Sequence, residues 1–350
     1  MNRLVIIGNG FDLAHGLPTS YKDFIDDYIV EKVNIFLTDR VYEDKLISIK
    51  SNNSYPFKEK PNLNSIIEVN NWLKRYADYV RMSYKSLFLK RLQNKFDKIN
   101  WVDIESEYFD SLLELRYGNG EFEYKRVNDL NDEFDYLRAL LEKYLKKVET
   151  EKSFITKSEY QNQFCGLIKK EDVVLKKMET DVEPKELLFL NFNYTNTLDS
   201  YFQKCSRRIT TNLNYIHGEL NNSYNPLIFG FGDEFNIHYK NFEEEKNNIL
   251  FRHIKSFGYF NTQNYHNLIR FLDSDDFQVY IFGHSCGLSD RTMLKEIFEN
   301  ERCISIKIFY YQREDGTNDF IEKTMEISRH FENKGLMRKK IVPFPMSKKM

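Results

Sequence analysis

The chain has 350 residues, a formal net charge of −2 and a pI near 6.4, with 30% charged residues, 29 Phe and 23 Tyr. That length allows a large core and about two domains, or one domain with an insertion, and the aromatic content belongs to a folded chain. The near-neutral charge excludes a protein that coats nucleic acid or an anionic membrane by bulk attraction.

Leu4, Val5, Ile6 and Ile7 read as a short strand covered on both faces, because the apolar run is continuous rather than alternating. Gly8-Asn9-Gly10 breaks it. Two glycines leave no Cβ in the way of a ligand, and unpaired N–H groups at a helix start would suit a phosphate. Leu13 stands where the third glycine of a dinucleotide fingerprint would be, so a tight turn without a ligand is the competing reading. Thr19/Ser20 with Asp23 predict the N-cap of an amphipathic helix carrying Tyr21, Phe24, Ile25 and Tyr28.

Residues 51–65 read as a loop by composition. Leu73, Tyr76, Ala77, Val80, Tyr84 and Leu87 recur at helical spacing and predict a long helix. Trp101 to Leu115 predicts another, stopped at Tyr117-Gly118-Asn119-Gly120, and Val127 to Val148 a further long one. Residues 25–184 are thus expected to form a mostly helical insertion.

At Leu187 the pattern changes. Leu187 to Phe192 reads as a buried strand, Asn193 to Asn196 as a polar turn, and Thr197 as the start of a helix. Leu213 to Ile216 predicts a strand ending in His217-Gly218, and Leu227 to Phe231 a further one. Phe277 to Phe282 predicts a strand leading into Gly283-His284-Ser285-Cys286-Gly287 and a helix opening near Ser289-Asp290. Ile304 to Tyr310 predicts the last central strand, and the basic tail after Met337 is expected to be solvated. Strand ends of such a sheet converge on its carboxyl edge, where ligands bind. Cys165, Cys205, Cys286 and Cys303 contain no C-x-x-C pair, which argues for reduced thiols and against a zinc ribbon. No apolar run suits a signal peptide or a membrane span, so a cytoplasmic protein without a membrane partner is expected.

GNGFDLAHGLPTSYKDF resembles the NAD-binding loop of sirtuin-like proteins, G-A-G-x-S-x-x-S-G-I-P-x-F, and is closer still to the opening of the bacterial abortive-infection AbiH family. The order of glycine turn, N-x-[DT] turn and His-Gly resembles the G-A-G, Q-N-x-D and H-G parts of the sirtuin-like superfamily. The resemblance implies an α/β fold: a Rossmann-like, sirtuin-like parallel sheet flanked by helices, formed by residues 1–24 and 185–345, with 25–184 inserted. It also implies NAD as a substrate, cleaved between nicotinamide and ribose in antiphage defence by abortive infection, with no metal and no direct nucleic-acid binding.

By position, Gly8, Asn9, Gly10 and Phe11 would hold the pyrophosphate and Asn193 would orient the ribose or a water. His217, followed by Gly218, would be the base. Gly283, Ser285 and Asp290 look like the later loop against the adenosine half. Thr195 stands where the sirtuin pattern has the Asp that recognises the nicotinamide amide, and Asp12, in place of a Ser, would supply that carboxylate. W-V-D-I-E-S-E looks like an AbiH element, which makes Asp103 and Glu105 second-tier candidates beside the reading of a solvated acidic helix face. A phage-derived trigger and homo-oligomer contacts are assigned to the helical block. Two alternatives remain: a sensor that binds NAD or ADP-ribose without cleaving it, and a serine hydrolase in which Ser285 of G-x-S-x-G pairs with Asp290, Asp315 or Asp319 and with His330.

Overall fold

A computed structural model describes residues 1–52, 61–93, 101–116 and 122–350. In chain order its strands are β1 (Asn2–Ile7), β2 (Val41–Glu43), β3 (Ile47–Ser51), β4 (Val80–Tyr84), β5 (Glu186–Asn191), β6 (Thr210–Tyr215), β7 (Phe277–Phe282), β8 (Cys303–Tyr310) and β9 (Lys348–Lys349). The chain forms two compact units: Met1–Leu17 with Val148–Lys246 and His253–Met350, and Pro18–Lys147 with Asn247–Arg252.

The first unit is an α/β structure around a six-stranded sheet of order β6-β5-β1-β7-β8-β9, parallel throughout. Its core explains the continuous apolar runs. Successive side chains on a strand point to opposite faces. Leu4, Ile6, Leu188, Leu190, Val279 and Ile281 accordingly pack on one face, and Val5, Ile7, Leu187, Phe189, Tyr280 and Phe282 on the other. With both faces covered, most positions on the central strands are apolar, and polar exceptions such as Arg3, Gln278 and Lys307 are buried too. The chain runs outward from β1 through β5 to β6, then crosses back to place β7 on the opposite side of β1. Such a reversal marks the carboxyl ends of β5, β1 and β7 as the usual place for a ligand in an open α/β sheet.

The second unit contains the helix Tyr21–Asp39, opened as predicted by Ser20: its hydroxyl accepts the Asp23 N–H and the Asp23 carboxylate accepts the Ser20 N–H, both at 3.1 Å. The stripe Val127, Leu130, Phe134, Leu137 and Leu141 is buried along the helix Tyr124–Glu151.

Three sequence expectations fail. The helix expected from Leu73 to Leu87 ends at Arg75, and Val80–Tyr84 is instead β4 of an antiparallel sheet β2-β3-β4. Val80, Tyr84 and Leu87 do fall at helical spacing, but V-R-M-S-Y also has period-two polarity, and pairing with Ile47–Ser51 decides it. Leu227–Phe231 is not a sheet strand: the Ile228 N–H bonds to the His217 carbonyl and Phe231 forms a bridge with Ile254. The expectation of a solvated basic tail fails in part: Arg338, Lys339, Lys348 and Lys349 are exposed, but the segment that carries them is docked on the sheet unit. Lys340 is buried, with its ammonium 2.8 Å from the carbonyls of Phe298 and Asn300 at the end of the helix Arg291–Glu299, and Val342 packs into the core. The Tyr117–Gly120 stop lies outside the described residues, as does most of the 51–65 loop. The four cysteines are buried and free.

Candidate functional site

At the end of β1, Gly8 is followed at once by the short helix Asn9–Ala14, and the turn packs against the loop that leaves β7. A Cβ on Gly8 would lie 2.5 Å from the His284 Cα, and one on Gly10 2.8 Å from the Gly283 Cα. Gly283, at φ +66°, would place a Cβ 2.2 Å from the Phe11 nitrogen. The glycines are therefore required by the close approach of two backbone loops. The expectation of unpaired amides is corrected here. Gly8 N–H donates to the Phe282 carbonyl at 3.0 Å, Gly10 N–H to Gly283 at 2.9 Å and Phe11 N–H to Gly8 at 2.8 Å. Asn9 and Gly10 are half-buried, while the Phe11 ring lies in the core against His15, Tyr160, Phe164 and Tyr201.

The end of β5 meets this turn. Asn193 is buried and its amide donates to the Gly8 carbonyl at 3.1 Å, and the Thr195 hydroxyl donates to Asp12 Oδ2 at 2.5 Å. Asp12 Oδ1 is buried with no hydrogen-bond partner. Burial pushes the Asp12 carboxyl up to about 6, against the hydrogen bonds from Thr195, Thr197 and Asn193. The structure thus joins Gly8, Asp12, Asn193 and Thr195 in one place.

His217 follows β6. Its Nε2 is 3.2 Å from Asp290 Oδ1 and 3.2 Å from the Tyr259 hydroxyl, and the ring edge packs on Phe192. Gly218 turns at φ +85° against Pro226. Lys255 Nζ reaches the same Asp290 oxygen at 2.7 Å, and His284 Nε2 lies 3.8 Å from Asp290 Oδ2. Lys255, His217, His284 and Asp290 are all buried. Burial would raise the Asp290 carboxyl, but Lys255 and then His217 hold it well below the ordinary range. Burial and then Lys255 lower His217, and burial lowers His284 to about 3. Both rings are held neutral around a carboxylate.

Sequence reasoning placed Asp290 in a ligand-binding loop and missed Lys255, His284 and Tyr259 as parts of this cluster. Phe192 lies against both imidazoles, so the His217 and His284 ends are contiguous across the ends of β5, β6 and β7.

The serine-hydrolase alternative is not assembled. His330 Nε2 is 2.7 Å from the Cys286 carbonyl, which makes it a donor there, and its Nδ1 is buried without a partner. Asp315 and Asp319 accept instead from Thr317 and from the Tyr311 N–H, and Ser285 is half-buried. Glu105 is buried in the second unit, and the Asp103 side chain lies outside the described residues. A groove of about 650 Å³ beside β6, lined by Asp199, Tyr215, Glu219, Asn225 and Asn264 among others, includes none of the predicted site residues. Among the described residues no group of three or more His, Cys, Asp or Glu side chains could hold a metal ion, and no helix is long and apolar enough to cross a membrane.

Comparison with known proteins gives one match. A family model described as bacteriophage abortive infection AbiH covers residues 4–312, a span that takes in β1 from Leu4 onward and all of β5, β6, β7 and β8 of the parallel sheet. No curated protein and no solved structure matches.

Proposed function

The chain belongs to the bacteriophage abortive-infection AbiH family, and from that premise we propose that it acts by hydrolysing NAD⁺ to nicotinamide and ADP-ribose. The observation that carries this reading is the convergence at the switch point of the sheet. The β1 turn, the Asn193 turn and the loop after β7 touch one another, with His217 and its carboxylate partner on the adjoining strand end. In hydrolysis the water oxygen bonds to C1′ of the ribose, nicotinamide leaves with the electron pair of the broken C–N bond, and the water proton passes to a base. A neutral imidazole such as His217 suits that base, and a buried Asn such as Asn193 suits the orientation of ribose or water.

Asp12 supports the choice of substrate. Asp12 Oδ1, a buried carboxyl oxygen with no partner while Oδ2 accepts from the Thr195 hydroxyl, is an acceptor of the kind that the N–H of a carboxamide requires. Because the amides of Gly8, Gly10 and Phe11 are committed to Phe282, Gly283 and Gly8, their part in this reading is to hold the loops together rather than to bind phosphate.

The test is nicotinamide release from NAD⁺ by wild type, His217→Ala and Asn193→Ala over a range of protein concentrations. Wild-type release is expected, with each substitution lowering it by about 10²-fold. No release, but a rise in melting temperature with NAD⁺ or ADP-ribose, would assign the chain as a sensor. Neither release nor binding would reject the NAD reading.

A further inference from the structure

We propose that Asp290 and Lys255 are positioning residues that fix the proton of His217 on Nε2, leaving Nδ1 as the nitrogen that accepts a proton. The proposal rests on the reading of His217 as the base and deepens it. The geometry begins at one oxygen. Asp290 Oδ1 receives Lys255 Nζ at 2.7 Å and faces His217 Nε2 at 3.2 Å, with all three side chains buried. A buried ammonium and a buried carboxylate are each costly alone, and their contact keeps both ionised. An ionised carboxylate only accepts, so the His217 nitrogen that faces it carries the hydrogen. The Tyr259 hydroxyl, also 3.2 Å from Nε2, can accept from the same N–H.

The neighbouring ring repeats the arrangement. His284 Nδ1 accepts the Cys286 N–H at 3.0 Å, which leaves the His284 proton on Nε2, the nitrogen 3.8 Å from Asp290 Oδ2. Asp290 is therefore surrounded by donors: Lys255, His217 and His284. No hydrogen bond engages His217 Nδ1 among the described residues. One ring nitrogen held by a carboxylate and the other left basic is the base-and-orienter logic of activated hydrolytic sites, here with a lysine holding the orienting carboxylate as an anion. The charged and titratable groups that face the pair of rings are Asp290, Lys255, Tyr259 and Lys323, whose ammonium bonds to the His284 carbonyl at 3.1 Å.

The experiment is long-range ¹H–¹⁵N spectroscopy of the full chain labelled at its seven histidines, with His217→Gln to assign the resonance. His217 is expected to be neutral with its proton on Nε2 across the neutral pH range. Lys255→Met should raise its titration midpoint by about one pH unit or more, and Lys255→Arg should hold it near the wild-type value. A wild-type ring protonated on Nδ1 would overturn the proposal, as would an unmoved midpoint in folded Lys255→Met. Should Lys255→Met fail to fold, the wild-type tautomer decides alone. These arms contain no NAD⁺, so failure of the NAD reading leaves them standing. Where nicotinamide release is present, Lys255→Met should also shift the acid limb of the kcat profile in the direction of the spectroscopic midpoint.

Discussion

Asp12 is a place where function and stability pull apart. Its folded pKa, about 6, lies above the ordinary carboxyl value of 3.8 because burial disfavours the charge more than three hydrogen bonds favour it. Between those two values the folded chain binds a proton that the unfolded chain has lost, so the contribution of Asp12 is most favourable in acid and declines as pH rises through about 6. Asp12→Asn keeps an acceptor for Thr195 and removes the charge. Relative to wild type, the variant should gain up to about 3 kcal/mol between acid and neutral pH. Urea unfolding at both pH values checks this, and an unchanged difference would place the Asp12 pKa near its unfolded value. Asp12, Asn193 and His217 were legible as candidates because each stands in a short motif at a strand end. Lys255 and Tyr259 were not, since Lys255 meets Asp290 across 35 residues of chain and lies in H-I-K-S-F-G-Y-F, which carries no motif. His284 was passed over because G-x-S-x-G directs attention to the serine.

Among elements, the loops after β1 and β7 act as one unit, and glycine is what permits it. Two positive-φ glycines in the first unit separate the causes. Gly16 turns at φ +77° into open space, whereas Gly283 turns at φ +66° with the Phe11 backbone where a Cβ would go. Gly16→Ala should cost the conformational strain alone, about 1–2 kcal/mol. Gly283→Ala should cost that and a further 1–3 kcal/mol of overlap, roughly, and should displace His284 with it. Paired thermal melts test this; equal losses would mean that the two loops are not in contact. The central strands β1, β5 and β7 were legible because burial on both faces leaves a nearly continuous apolar run, which no amphipathic helix shows. β4 was not, because a five-residue strand with one half-buried face gives too few positions to separate period two from the helical period, and its partner strand β3 lies in a stretch without strong signal.

For the whole molecule, β1 pairs with strands that begin at Glu186 and Phe277, so the first seven residues find their partners only after most of the chain is made. The same holds at the other end. Val342 N–H bonds to the Ile306 carbonyl at 2.9 Å, Met350 N–H bonds to Tyr310 at 2.8 Å, and β9 pairs with Phe309 and Tyr310, so the last ten residues line the outer edge of β8. Composition hid this, because Lys and Arg density suggests solvent while the two apolar positions that matter, Ile341 and Val342, are too few to make a pattern. An open edge strand invites pairing with other chains. A chain ending at Lys340 should therefore melt lower, by at least about 2 kcal/mol from the lost burial of Val342 alone, and should associate as protein concentration rises. Lys348→Ala with Lys349→Ala, at exposed positions, should change stability by no more than about 0.5 kcal/mol. The pairing is made by the backbone, so removing the charges leaves the edge covered, while removing the segment uncovers it. A truncated chain that melted with the full-length protein and stayed monodisperse would show that β8 is protected by its helices without help from the C-terminal segment.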